Sequence, residues 1–93
     1  MINKTVVIKN KLGIHARPAG QLVREAARFK SMVYIGRNGN EVNGKSIMGV
    51  LMLAAACGTT LELRIDGEDE YAAMAALVDL IEVKKFEDRK SVV

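Results

Sequence analysis

The sequence predicts an α+β fold in which helices pack on one face of a single antiparallel sheet. Three observations lead to this prediction. Strand-like and helix-like segments follow one another in the order β-α-β-β-α-β-α. Asn38 and Gly39 form a typical two-residue hairpin turn, and the chain has no long crossover of the kind that joins parallel strands. With 93 residues, the chain is expected to form one domain over residues 1–93.

The first half of the chain divides into a strand, a helix and a hairpin. The β-branched residues in 5–10 (TVVIKN) predict a strand, which Gly13 interrupts. From Ala16 the pattern is helical, and residues 31–36 (SMVYIG) and 40–43 (NEVN) predict the two strands of the hairpin. The apolar positions that recur at helical spacing after Ala16 are Ala19, Leu22, Val23, Ala26 and Phe29.

The second half predicts a short helix, a strand and a longer helix. The short helix begins after Ser46 as its N-cap and stops at Gly58. Residues 59–65 (TTLELRI) predict a strand, and residues 68–86 predict a helix with acids at its start and lysines at its end, as the helix dipole favours. Residues 87–93 are expected to form a loose tail. The expected buried positions of the last helix are Ala73, Leu77, Leu80 and Ile81.

The composition is that of a globular chain with a mildly basic surface. The formal net charge of +3 favours a negatively charged protein or phosphate as the partner. Nucleic-acid binding is disfavoured, because the basic residues are dispersed and only two Tyr and two Phe are available for stacking. No apolar stretch approaches the roughly 20 residues of a membrane span. We therefore expect a cytoplasmic protein that does not insert into membranes, with no bound metal and no cofactor.

Cys57 is the single cysteine, so it cannot form a disulfide within the chain. It lies in the apolar run LMLAAACG, and we expect it to be a buried structural thiol rather than a reactive one.

Residues 12–20 (LGIHARPAG) contain the only histidine and the only proline of the chain. A helix is expected to begin just after His15, where unpaired backbone N–H groups and the helix dipole favour an anion. Pro18 suits the first turn, and the planar Arg17 cation matches phosphate oxygens. A lone histidine is more often structural. These neighbours instead make His15 a candidate carrier of a phosphoryl group, because neutral imidazole is a good nucleophile.

Two motifs, LGIHARPA and VNGKSIMGVLMLAA, closely resemble the HPr family of bacterial phosphocarrier proteins from about residue 2 to residue 86. The resemblance implies an open-faced sandwich of four antiparallel strands and three helices. It also implies that His15 accepts a phosphoryl group on Nδ1 from phosphorylated enzyme I and passes it to the IIA domains of sugar permeases. Arg17 and the amides at the helix start would stabilise that group. The chain would then be a carrier rather than a stand-alone enzyme.

Ser46 has two expected roles. As an N-cap its hydroxyl stabilises the following helix by about 1 kcal/mol. The resemblance implies that it is also the target of a dedicated HPr kinase. A phosphate at this helix start is expected to leave the fold unchanged and to repel a partner that fits a basic face.

An apolar surface next to Ser46 is expected to bind partners. The following helix is apolar on two sides, and in so small a domain one side is expected to face a partner. Val50, Leu53 and Cys57 lie on the other side. The resemblance implies that this helix and the His15 region form one surface, to which Arg24 adds positive charge and which Gly20 keeps flat. The expected partner-binding residues are Ala16, Gly20, Arg24, Ile47, Met48, Leu51 and Met52.

Residues 39–46 (GNEVNGKS) also match the P-loop pattern of nucleotide-binding proteins. We reject this interpretation, because a P-loop follows a buried parallel strand, whereas Gly39 belongs to a hairpin turn. The chain is also short for a nucleotide-binding α/β sheet.

Two alternatives remain open from the sequence. The first is a nitrogen-branch phosphocarrier with the same chemistry and no sugar permease. The second is a mainly regulatory binding protein that acts through Ser46 and its apolar neighbours. We expect a monomer, and the sequence does not identify the sugar, the IIA partner or a role for residues 87–93.

Overall fold

The computed structural model describes residues 1–86. The predicted loose tail at 87–93 lies outside the described residues. The four strands form one antiparallel sheet in the order β1-β4-β2-β3, so the predicted fold class and element order are confirmed. The elements are β1 (Ile2–Val7), α1 (Ala16–Ala27), β2 (Met32–Arg37), β3 (Asn40–Asn43), α2 (Ile47–Met52), β4 (Thr60–Asp66), α3 (Glu70–Val78) and a π-helical segment (Asp79–Val83) that continues α3.

The sheet has one covered face and one open face. Side chains alternate along β4, so that Leu61, Leu63 and Ile65 are buried beneath the helices. The open face carries polar side chains, and the Arg64 guanidinium there contacts the Glu41 carboxylate at 2.9 and 2.6 Å. The helices thus pack on one face of the sheet, as predicted.

A single apolar core lies between the sheet and the helices. Strands β1, β2 and β4 and all three helices contribute to it. Leu80, which was predicted to be buried, is only half-buried, whereas the other three predicted positions of the last helix are fully buried. The largest contributions come from Val6, Ile8, Leu22, Val33, Ile35, Val50, Leu61, Leu63, Ile65, Leu77 and Ile81.

The β2–β3 hairpin has the predicted two-residue turn. Asn38 and Gly39 have φ values of +52° and +85°, the pair of left-handed conformations that this tight turn requires. All strand pairs within residues 1–86 are antiparallel, and β3 occupies the middle of the P-loop-like pattern. The structure is therefore incompatible with a P-loop in this segment.

Strand β1 lies three residues earlier than predicted, at Ile2–Val7 rather than 5–10. Its register with β4 pairs Ile2 with Ile65 and Val7 with Thr60. Because β4 begins at Thr60, it has no residue to pair with the chain after Val7, and β1 ends there. Ile8 still bonds the loop before β4 through its backbone, and the chain then leaves the sheet.

Helix α2 ends at Met52, well before the predicted stop at Gly58. Ala54 adopts a left-handed conformation with φ of +50°, which ends the helix. Nη1 of Arg37, at the end of β2, donates hydrogen bonds to the carbonyls of Leu53 at 2.7 Å and Ala54 at 2.9 Å. A side chain distant in sequence therefore binds the carbonyls where the helix stops, which the local pattern could not indicate.

The last helix is also shorter than the predicted 68–86. It is α-helical over Glu70–Val78 and widens into a π-helix over Asp79–Val83. Lys85 and Phe86 then have φ values of +53° and +60°, so the chain turns out of the helix.

Asp69 links the start of α3 to the loop between α1 and β2. Its carboxylate accepts hydrogen bonds from the Ser31 hydroxyl and from the backbone N–H groups of Lys30 at 2.9 Å and Ser31 at 3.0 Å. These hydrogen bonds lower the pKa of Asp69 from 3.8 to about 2, and the bond from the Ser31 hydroxyl has the largest effect.

Candidate phosphoryl-transfer site

His15 is the N-cap of α1 and its imidazole is exposed. Its backbone is extended, with φ of −110° and ψ of −167°, and its carbonyl accepts the first helical hydrogen bond from Ala19 at 2.9 Å. The imidazole makes no capping bond to the helix. Within residues 1–86, the backbone N–H groups of Ala16 and Arg17 bond no protein acceptor. The site therefore combines a free imidazole with free donors at the positive end of a helix.

The loop before His15 is held by a close approach between two backbone segments. Gly13 has φ of +70°, and a Cβ at this position would lie 2.5 Å from the carbonyl oxygen of Ala55. The same carbonyl accepts a hydrogen bond from the N–H of Ile14 at 2.8 Å. Only glycine fits here, and this contact fixes the direction from which the chain enters α1.

A cavity of about 360 Å³ lies beside His15. Arg17 and Pro18 line it, as the sequence motif predicted, but five residues of its wall were not predicted: Asn10, Lys11, Leu12, Lys85 and Phe86. Leu12 is 79% exposed, which is unusual for a leucine next to a buried loop. In the sequence, the one signal that Leu12 is exposed at the site is its place between the charged Lys11 and Gly13. The lining residues are Asn10, Lys11, Leu12, His15, Arg17, Pro18, Lys85 and Phe86.

Gly20 and Arg24 lie together on α1. A Cβ at Gly20 would meet only Nη1 of Arg24, at an ordinary distance of 3.7 Å, so the arginine side chain folds over the glycine. Arg24 is exposed and takes part in no ion pair within residues 1–86. It contributes a positive charge to the exposed side of α1.

Helix α2 packs against α1 and presents an apolar side to solvent. The exposed fractions are 47% for Ile47, 69% for Met48 and 77% for Met52. Leu51 differs from these three, because it is half-buried and packs against the core. Val50 and Leu53 are buried, as expected for the inward side of this helix.

Ser46 is the N-cap of α2, as predicted. Its Oγ accepts a hydrogen bond from the backbone N–H of Gly49 at 3.2 Å, and its carbonyl accepts one from Val50 at 3.0 Å. Lys45, the preceding residue, donates from Nζ to the carbonyl of Phe29 at 2.8 Å, which ties this segment to the end of α1.

The expectation of a buried Cys57 is wrong. The thiol is exposed, because α2 ends before this residue and the chain from 54 to 58 runs through turns and irregular structure. Sγ lies 3.8 Å from the carbonyl of Lys9.

No group of three or more metal-ligating side chains occurs within residues 1–86. In the same part of the chain, none of the helices has the length and apolar character needed to cross a membrane. The groups with shifted pKa values, such as Asp69, lie at the opposite end of α3 from the cavity or on the open face of the sheet.

Comparisons with known proteins identify the family. The family model described as "PTS HPr component phosphorylation site" matches residues 2–83. Phosphocarrier protein HPr of Neisseria meningitidis is 53% identical over 81 residues, which cover 87% of this chain and 91% of the relative. The crystal structure of HPr from Thermoanaerobacter tengcongensis superposes with a TM-score of 0.89 at 44% identity, covering 95% of this chain and 99% of that one.

A regulatory relative shares the same fold. The crystal structure of Crh, the catabolite repression protein of Bacillus subtilis, superposes with a TM-score of 0.73 at 40% identity, and covers 90% of this chain and 97% of that one. That protein is described as a domain-swapped dimer. The similarity extends over most of the length of each of these proteins. The residues matched by the family model, 2–83, include the segments around His15 and Ser46. The chain therefore belongs to the HPr family, the phosphocarrier proteins of the phosphotransferase system.

Proposed function

We propose that this protein accepts a phosphoryl group on His15 from phosphorylated enzyme I and passes it to the IIA domains of sugar permeases. The observation that carries the proposal is the exposed imidazole at the N-cap of α1, next to the Arg17 cation and to backbone N–H groups that bond no acceptor within residues 1–86. Such donors neutralise the charge of a phosphoryl group in transit. Family membership supports the same activity.

The chemistry requires a nucleophile and a charge-stabilising environment rather than a deep pocket. The lone pair of the neutral imidazole, at Nδ1, forms a bond to phosphorus while the bond between phosphorus and the donor breaks and its electron pair returns to the donor. The reverse sequence hands the group to a IIA acceptor. His15 is exposed, so both protein partners have access to it. Its carbonyl is already engaged with Ala19, which holds the residue in place.

The proposed partner surface combines the His15 region with the apolar side of α2. Ala16, Gly20 and Arg24 would contribute from α1. Ile47, Met48 and Met52 would contribute most of the apolar area, and Leu51 less, because the core already covers part of it. Methionine side chains adapt to differently shaped partners, which suits a carrier that meets a donor and several acceptors. We place this exchange in the cytoplasm and propose a monomer, which size-exclusion chromatography would test against the dimeric relative.

Incubation with enzyme I and phosphoenolpyruvate tests the transfer. One phosphate per chain is expected, labile in acid and stable in base, as for a phosphohistidine. A His15→Ala variant should remain unlabelled. Labelling of that variant would refute the role of His15, and absence of labelling in the wild type would refute the proposed function.

Ser46 supports a second, regulatory role. Its hydroxyl lies at the start of α2, next to the exposed Ile47 and Met48, so a phosphate there adds nearly two negative charges to the proposed partner surface. The similarity to Crh supports a regulatory branch of this family. We propose an HPr kinase as the enzyme that would modify this residue. Replacement Ser46→Asp should slow transfer from enzyme I, whereas unchanged transfer and unchanged partner binding would refute the regulatory role.

A further inference from the structure

The chain returns to the His15 cavity at residues 84–86, which we call the C-terminal turn. After the π-helical segment, the N–H of Lys84 bonds the carbonyl of Asp79 at 2.8 Å and the N–H of Phe86 bonds the carbonyl of Leu80 at 3.0 Å. Lys85 and Phe86 then line the same cavity as His15 and Arg17. Two residues about 70 positions away in sequence therefore complete the wall of the candidate site.

The C-terminal turn is anchored rather than loosely placed. Phe86 is only 2% exposed, although it has a left-handed conformation with φ of +60° that disfavours a bulky side chain. Burial of the aromatic ring offsets that conformational cost. Lys85 precedes this anchor directly and is itself left-handed and exposed, so its position along the cavity wall is set by Phe86.

The charges on the cavity wall have one sign. Lys11, Arg17 and Lys85 all line the cavity with the imidazole of His15. No acidic side chain is among its lining residues in the described part of the chain. Three cations around one small opening, without a carboxylate to neutralise them, form an environment that favours an anion of more than one charge.

We propose that Lys85 is a phosphoryl-positioning residue, which stabilises the group carried by His15 from the wall of the cavity that both residues line. This inference rests on the proposed function and adds to it a charge supplied by the C-terminal turn. Lys85 stabilises the phosphorylated form relative to the unphosphorylated one, so it shifts the equilibrium of phosphoryl transfer toward this protein.

The test is the equilibrium constant for transfer between phosphorylated enzyme I and this protein, measured at low salt and at high salt. The constant compares free phosphorylated and unphosphorylated forms, so it does not depend on how the partners dock. Replacement Lys85→Gln should shift it toward the donor by roughly fivefold, the factor expected for two unit charges about 4 Å apart in water. The shift should shrink at high salt, because salt screens exposed charges.

Two further variants separate charge from structure. Lys84→Gln is the matched control, because Lys84 is exposed, pairs with Asp79 at 3.4 Å and does not line the cavity. It should leave the equilibrium unchanged, and Lys85→Arg should restore the wild-type value. An equal shift in Lys84→Gln, or none in Lys85→Gln, would overturn the role of Lys85 while His15 labelling still supports the proposed function. Absence of labelling in the wild type would overturn both.

Discussion

Replacement of Gly20 by alanine is expected to stabilise the protein. Gly20 lies inside α1, where glycine costs about 0.5–1 kcal/mol relative to alanine because it loses more backbone freedom on folding. The added Cβ would meet only Nη1 of Arg24 at 3.7 Å, which is ordinary van der Waals contact. No space has to be created, so nearly the whole helix-propensity gain should appear as stability.

Gly13 is the matched control, because the same replacement there should have the opposite sign. Its φ of +70° is left-handed, which costs a residue with a Cβ about 1 kcal/mol or more. The Cβ would also lie 2.5 Å from the carbonyl oxygen of Ala55, which accepts the hydrogen bond from Ile14. Displacement of that carbonyl would weaken a bond worth about 1 kcal/mol. Gly13→Ala should therefore destabilise the protein by about 2 kcal/mol or more.

Urea unfolding, followed by circular dichroism, measures both changes. Gly20→Ala should raise the free energy of unfolding by about 0.5–1 kcal/mol without a change in the denaturant slope, and raise Tm at roughly 4–8 °C per kcal/mol. A destabilised Gly20→Ala variant, or a Gly13→Ala variant as stable as the wild type, would refute the placement of these two backbone segments.

Three further perturbations test other parts of the structure. The folded-state pKa of Asp69 is about 2, below its ordinary value of 3.8. The ionised carboxylate of Asp69 therefore stabilises the folded state fully above pH 3.8, and this stabilisation is lost as the pH falls toward 2. Asp69→Asn should therefore be less stable than the wild type at pH 7, and the two urea midpoints should converge near pH 2. Arg37→Ala removes the donor to the carbonyls of Leu53 and Ala54, so it should lower the free energy of unfolding by about 1 kcal/mol and speed amide hydrogen exchange at the end of α2. Unchanged exchange at the end of α2 would contradict this. Ser46→Ala should cost about 1 kcal/mol in thermal unfolding through loss of the N-cap, whereas Ser46→Asp should retain most of the stability; equal losses in both would argue against a capping role.

The site itself is divided between a local motif and a distant segment. His15, Arg17 and Pro18 stand within four residues, so the start of α1 alone brings them together. Lys85 and Phe86 reach the same cavity only through the packing of α3 and the turn that follows it. A replacement in the C-terminal turn therefore changes the wall of the His15 cavity without any change in the motif around His15.

The sequence by itself determined the features that depend on neighbours in the chain. The Asn38-Gly39 pair specifies its turn because few residues adopt two successive left-handed conformations. The start of α1 follows from Pro18 in its first turn, and the start of α2 follows from its N-cap Ser46. Alternation along β4 follows from one face being buried. These signals were sufficient for the fold class, the element order and the position of the candidate phosphoryl carrier.

Only the tertiary structure decided where α2 and α3 end, and with them the exposure of Cys57 and the wall of the His15 cavity. The apolar runs after Ser46 and after Glu70 continue beyond both ends, so hydrophobic periodicity predicts longer helices. Arg37 bonds the carbonyls at the end of α2 from the neighbouring strand, and burial of Phe86 holds the turn after α3. Contacts between residues distant in the chain supply free energy that local propensity does not contain, and at these two points that free energy outweighs the preference to continue the helix.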